Sequence, residues 1–345
     1  MIMEPRNQKN RRKTWKGFAG IALLAACLGT FGPAQAETSP AVITLPNDFY
    51  PESVTVAEDG TFYVSSWHQG AVARVLPGQD KAEIFIPSGS NGLFNGQGVL
   101  VDAARQTLWV CSGSVGFSIA PRTESALKAF DLTTGTPKAS YALPGGGYCN
   151  DMALSRAGRI YVADSQRPRI LVLDDEKSAL RTWVENPALC RVADNCLNGI
   201  AIDRDQAVYV SHISAAPELL KIAMTADGSA GEITPIRVPR LLKNVDAVRL
   251  LDAEHLVIFE SNAFAKNDPL NGSVSLVTLH PGRSASVDTL ANGLAAPSSG
   301  VVHGGRVFFI QSKWEVLFRH APDAADQVEK GVPFVINSLE LPVQP

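Results

Sequence analysis

Leu197-Asn198-Gly199-Ile200-Ala201-Ile202, followed after a short polar turn by Ala207-Val208-Tyr209-Val210, is the stretch that decides the fold. Two short runs rich in β-branched and aromatic residues, separated by a turn, predict a pair of antiparallel strands. The same phrase recurs on both sides. Upstream it appears as Cys149-Asn150-Asp151-Met152-Ala153-Leu154 with Arg159-Ile160-Tyr161-Val162, as Gly96-Gln97-Gly98-Val99 with Thr107-Leu108-Trp109-Val110, and as Pro51-Glu52-Ser53-Val54 with Thr61-Phe62-Tyr63-Val64. Downstream it returns as Val245-Asp246-Ala247-Val248 before His255-Leu256-Val257-Ile258-Phe259, and as Pro297-Ser298-Ser299-Gly300-Val301 before Arg306-Val307-Phe308-Phe309-Ile310. The copies are spaced by about fifty residues, and further strand-like runs follow, such as 219–224 with 233–238 and 274–279 with 285–290. Four short antiparallel strands per repeat, repeated six times, predict an all-β fold: a six-bladed β-propeller of four-stranded antiparallel blades. In the last repeat the run 315–319 reads as the third strand. Residues 41–45 read as a fourth, joining the two chain ends so that no sheet edge stays open. The tail 333–343 is also strand-like and competes for that role.

The N-terminus reads as an export signal: basic Arg11, Arg12, Lys13 and Lys16, an apolar stretch from Phe18 to about Phe31, then Ala34-Gln35-Ala36 as a cleavage pattern. Residues 1–36 are therefore expected to be a signal peptide and 37–345 a single propeller domain, periplasmic or secreted. Leu24-Ala25-Ala26-Cys27 resembles a lipoprotein box, which leaves a lipid anchor at Cys27 as an alternative, and Arg11-Arg12 loosely resembles a twin-arginine signal. The apolar stretch is shorter than the roughly 20 residues a spanning helix needs, so no membrane span is expected. A net charge of −3 with no basic stripe argues against nucleic acid. A monomer acting on a small-molecule substrate is expected. Cys111, Cys149, Cys190 and Cys196 allow three pairings in an oxidising compartment. Cys190 with Cys196 closes a small loop and is preferred, leaving Cys111 with Cys149.

Aligning the repeats places Glu52, Gln97, Asn150, Asn198, Asp246 and Ser298 at one register position, where each innermost strand opens. Innermost strands line the central channel, so these side chains are expected to converge at one of its mouths. Glu52, Asn150, Asn198 and Asp246 together offer only hard oxygen donors and a formal charge of −2. That suits Ca²⁺, with Mg²⁺ or Mn²⁺ as alternatives, and disfavours zinc because no His or Cys shares the register.

The segments Pro51-Glu52, Asn150-Asp151, Asn198-Gly199 and Asp246 resemble the metal-binding motifs of the regucalcin/gluconolactonase family of six-bladed propellers. Paraoxonases and diisopropyl-fluorophosphatase share that architecture. The resemblance spans essentially all of the chain after the export signal. It implies a cation that polarises a lactone carbonyl or phosphoryl oxygen, with Glu52, Asn150 and Asn198 as ligands and Asp246 as both ligand and general base or nucleophile. The chain departs from the pattern at Tyr148, where sugar-lactone members place an arginine, and at Ser53 and Ala247, where glycine is usual. An aromatic at Tyr148 points to a less polar ligand than a sugar acid.

Second strands run back to the same face and end at Ser66, Ser112, Asp164, His212, Ser261 and Ser312. His212 is a candidate for assisting proton transfer. Tyr148, Asp164 and Gln97 are candidates for substrate contacts, and His68 beside Trp67 for the pocket wall. The loops 112–123 and 261–272 are expected to form a partial lid. No G-x-S-x-G elbow, Walker loop or dinucleotide fingerprint occurs. The expected function is a metal-dependent hydrolase of a lactone or related ester. Its rivals are a non-catalytic binding propeller with a structural cation and a metal-free strictosidine-synthase-like propeller.

Overall fold

The computed structural model describes residues 42–342 apart from 175, 192–194, 205, 215–217, 264–267 and 269. The expected signal peptide and Cys27 lie outside the described residues. Six four-stranded antiparallel sheets form the six blades of a propeller. The innermost strands are Pro51–Val56, Asn95–Asp102, Cys149–Leu154, Leu197–Asp203, Val245–Leu250 and Gly300–His303, and each packs beside the next, the last against the first.

Each blade buries both faces, so hydrophobic clusters fill the spaces between neighbouring blades. One joins Tyr63 and Val72 of the first blade to Val99 and Leu108 of the second; another joins Tyr161 and Ile170 of the third to Ile200 and Val208 of the fourth. The recurring second-strand aromatics explain themselves here. Tyr63, Trp109, Tyr161, Tyr209 and Phe308 are all buried in these seams, and each such side chain contributes roughly 1.5–3 kcal/mol on leaving water.

Closure of the ring uses both chain ends, but not as the local sequence reads. The third strand of the last blade is Phe334–Glu340, which pairs with Arg306–Ile310 on one side and with Val42–Leu45 on the other. The run expected to be that strand is instead a short helix, Trp314–Leu317, which buries Trp314 and Leu317 one turn apart. It sits in a long excursion between the second and third strands of the blade. Tail and N-terminal segment are thus partners in one sheet rather than competitors.

Both expected disulfides are present. Cys111–Cys149 ties the second blade to the third, and Cys190–Cys196 closes a loop before the fourth. Two disulfides fit an oxidising compartment. Among the described residues no helix is long and apolar enough to cross a membrane.

Candidate functional site

In five blades the pairing of first and second strands shifts register at the aligned polar position. Pro51 and Ser53 face Ser66 and Ser65, which leaves Glu52 as the extra residue. Gln97, Asn150, Asn198 and Asp246 fall in equivalent shifts, between Gly96 and Val99, Cys149 and Met152, Leu197 and Ile200, and Val245 and Val248. A β-bulge re-aims the side chain of the bulged residue. All five residues line a single cavity of about 270 Å³ at the channel mouth. Ser298 does not join them. It precedes the first strand of its blade, donates to the Glu52 carbonyl at 2.7 Å and lies 2.5 Å from the Ser312 hydroxyl, fastening the last blade to the first.

Bulged strands crowd the channel, and Gly199 shows how closely. A Cβ there would lie 2.5 Å from the Val248 nitrogen and 2.6 Å from the Asp246 carbonyl oxygen. Those are backbone atoms of the next blade's inner strand, so a side chain displaces the strand that carries Asp246. Gly199→Ala is expected to cost about 1–3 kcal/mol, read as a lower urea midpoint. A variant as stable as the parent would show that the two strands part freely.

The carboxamides are held with their oxygens available. The Asn150 amide donates to the Ser165 hydroxyl at 2.8 Å, and that hydroxyl donates to the Leu197 carbonyl at 2.7 Å. The side chains of Asn198, Ser261 and Trp314 lie near the Asp246 carboxylate and favour its charged form. Gln97 is differently employed. Oriented to satisfy both of its ends, its amide donates to Glu52 Oε1 at 3.2 Å, while its oxygen accepts from the Tyr148 hydroxyl at 2.8 Å and the Trp67 indole at 2.6 Å. Gln97 therefore braces Glu52 and Tyr148 against each other. Tyr148 lines the cavity as expected, in space left by Gly113, where a Cβ would lie 2.3 Å from the phenol oxygen.

The electrostatics are those of crowded anions. Burial pushes Glu52 well above the usual carboxylate range, and the nearby charges of Asp246 and Asp151 push the same way against Arg249. Burial likewise raises Asp246 to about 7, with the polar side chains of Ser261, Asn198 and Trp314 opposing it. Arg249 lies beneath the cavity, where it bonds Asp151 at 2.7 Å, the Ser299 hydroxyl at 3.0 Å and the Gly300 carbonyl at 3.0 Å. Among the described residues no three His, Cys, Asp or Glu side chains form a metal cluster. The donor set consists of two carboxylates and two carboxamides. Buried anions left short of positive charge, beside carboxamide oxygens whose N–H groups point elsewhere, are a good fit for a hard divalent cation.

The second-strand ends do not reach the cavity. Asp164 is buried, accepts the Tyr148 backbone N–H at 2.9 Å and pairs with Arg169 at 2.8 Å. His212 is buried with Nε2 3.1 Å from the Ala188 carbonyl, and burial lowers its pKa. His68 is turned to the Phe117 carbonyl, whereas its neighbour Trp67 lines the wall. Ser66, Ser112 and Ser261 likewise bond the backbone just ahead of the bulges, at Phe49, Phe94 and Asn244. Ser66, Ser112, Asp164 and Ser261 thus latch the entry of their blade's inner strand two or three residues before the site residue. Polar character at a strand end does not by itself tell a latch from a ligand contact.

Several lining residues carry no sequence signal: Trp314 and Phe318 from the helical excursion, and Ser165, Asn195 and Asn244 from loops. The expected lid is realised in part. Val115 from one loop and Ala263 from the other line the cavity, while 264–267 and 269 lie outside the described residues.

No protein-family model and no curated relative matches the chain. Its structure resembles that of a candidate gluconolactonase, with 13 % identity, a TM-score of 0.58 and coverage of 87 % of this chain and 92 % of that one. A luciferin-regenerating enzyme is similar at 13 % identity and TM-score 0.56, over 87 % and 95 % of the two chains. A chain of a nidogen/laminin complex is similar at 16 % identity and TM-score 0.55, over 81 % and 97 %. At such identities the likeness establishes one thing about this chain, its propeller fold.

Proposed function

We propose that the protein is an exported, metal-dependent hydrolase of lactones or related esters, with Ca²⁺ held by Glu52, Asn150, Asn198 and Asp246. Mg²⁺ or Mn²⁺ suits the same oxygens. The observation that carries this is the delivery of those four side chains, by four bulges on four blades, to the floor of one cavity. When bound, the cation would supply Lewis-acid polarisation of a substrate carbonyl.

The chain's own residues supply the rest. Asp246 accepts a proton from water as its oxygen attacks the carbonyl carbon. The acyl C–O bond then breaks, and the departing alkoxide takes up that proton from Asp246. Gln97 fixes Glu52. Asp164 positions Tyr148 through its backbone rather than touching a ligand. His212, behind the wall, is assigned no proton transfer. The overall architecture shared with a candidate gluconolactonase and a luciferin-regenerating enzyme supports an enzymatic reading. Likeness to a nidogen/laminin chain keeps a binding module with a structural cation as the second reading.

Purified protein is expected to hydrolyse members of a panel of uncharged lactones and aryl esters, with activity removed by a chelator and restored by calcium. Tight calcium binding with no turnover across the panel would leave only the second reading.

A further inference from the structure

The cavity is two-sided. Its floor is the polar set already described; one wall is aromatic. Trp67 and Trp314 meet edge to face with ring centres 4.8 Å apart, and Phe318 stacks on Trp314 at 6.0 Å. Phe117 packs behind, 5.6 Å from Trp67 and 5.3 Å from Phe318. The Trp67 indole N–H turns to Gln97 on the floor, and both indoles present ring surface to the cavity.

The wall is preformed. Lys313, just before the helix, donates its N–H to the Ala295 carbonyl at 3.2 Å, and the Ser312 hydroxyl donates to the Pro51 carbonyl at 2.6 Å. Trp67 and Trp314 are buried, while Phe318 is 39 % exposed and carries the wall out to the rim. Among the described lining residues there is no Lys, Arg or His. With the two carboxylates balancing a bound divalent cation, a carboxylate or phosphate on the ligand would find no basic side chain to neutralise it. A polyhydroxylated group laid against this wall would face aromatic carbon where it needs hydrogen-bond partners.

We propose that Trp67, Trp314 and Phe318 are the specificity surface of this site, and that its substrate is an uncharged carbonyl compound bearing a flat apolar arm that lies on them. The carbonyl half of this statement rests on the reading in "Proposed function"; the arm does not.

The test uses binding, so that it does not depend on turnover. The probes are 2-piperidinone and its benzo-fused analogue 3,4-dihydro-2-quinolinone, titrated by calorimetry into the calcium-loaded full-length protein. The fused lactam is expected to bind about tenfold more tightly or better. Phe318→Ala, at a half-exposed site that folding tolerates, should remove most of that preference and leave 2-piperidinone and calcium affinity unchanged. Trp314→Leu should lose the preference as well.

Equal affinity for the two lactams overturns the proposal, as does tighter binding of a carboxylate-bearing analogue. Preferential binding of tetramethylammonium to calcium-free protein also overturns it, by showing an organic-cation cage instead. If the lactam preference stands but neither δ-valerolactone nor dihydrocoumarin is turned over, the arm is supported and hydrolysis fails.

Discussion

Addition of calcium to the metal-free protein is expected to raise its melting temperature clearly at pH 8 and only slightly at pH 5. The reason lies in Glu52 and Asp246, whose pKa values are both raised in the folded state, first of all by burial. A carboxylate raised on folding binds its proton more tightly in the native state than in the unfolded one. Its contribution to stability is therefore fully present below the unfolded value near ~4 and is lost as pH climbs through the folded value, about 7 for Asp246. A divalent ion replaces the proton and lifts that penalty. At a free concentration ~100 times its dissociation constant it adds about 2.7 kcal/mol, which for a domain of this size is a shift of ~5 °C. Scanning calorimetry at both pH values, with calcium or with a chelator, reads the effect. Equal shifts at pH 5 and pH 8, or none with calcium, magnesium or manganese, would remove the cation from this site. Glu52→Gln and Asn198→Ala should each abolish most of the shift. Full retention in both would mean the ligand set is wrong.

Asp246→Asn is expected to move activity and stability in opposite directions. Turnover should fall by ~10²–10⁴, the range over which a positioned general base acts. The metal-free protein at pH 8 should meanwhile become more stable, by on the order of 2 kcal/mol. The asparagine keeps the size and one oxygen of the carboxylate but has no buried charge to carry. Measured kcat/KM together with urea midpoints checks both halves. A variant with undiminished kcat would exclude Asp246 as the base. A variant less stable than the parent without metal would show that the carboxylate is a net structural asset. The expected trade, stability set aside to keep an ionisable group in a dry channel, is common where function needs a poorly solvated charge.

The blades were legible because a propeller is local. Each strand pairs mainly with the one before or after it, so apolar runs and intervening turns spell out a sheet within about fifty residues. Closure was less legible because it joins Val42–Leu45 to Phe334–Glu340, segments that meet only when the ring is complete. The run Trp314-Glu315-Val316-Leu317 illustrates the limit: four residues are too few for period to separate strand from helix, and the seat for Trp314 and Leu317 decides. The side chains at second-strand ends, Asp164 and His212 among them, were polar for a reason the sequence cannot distinguish from ligand binding. Their partners are the backbone at Tyr148 and the carbonyl of Ala188.

The sequence by itself determined the six-bladed all-β fold and the register that holds Glu52, Asn150, Asn198 and Asp246, because each follows from short-range pattern repeated at fixed spacing; of the three disulfide pairings it allowed, the preferred one is present. The convergence of those four side chains at one channel mouth also followed from the shared register. Tertiary structure alone decided how they are aimed, by a register shift in each of these inner strands that turns the side chain into one cavity. It alone stood the aromatic wall opposite them, because Trp67 and Trp314 come from the first and last blades and touch only once the ring has closed.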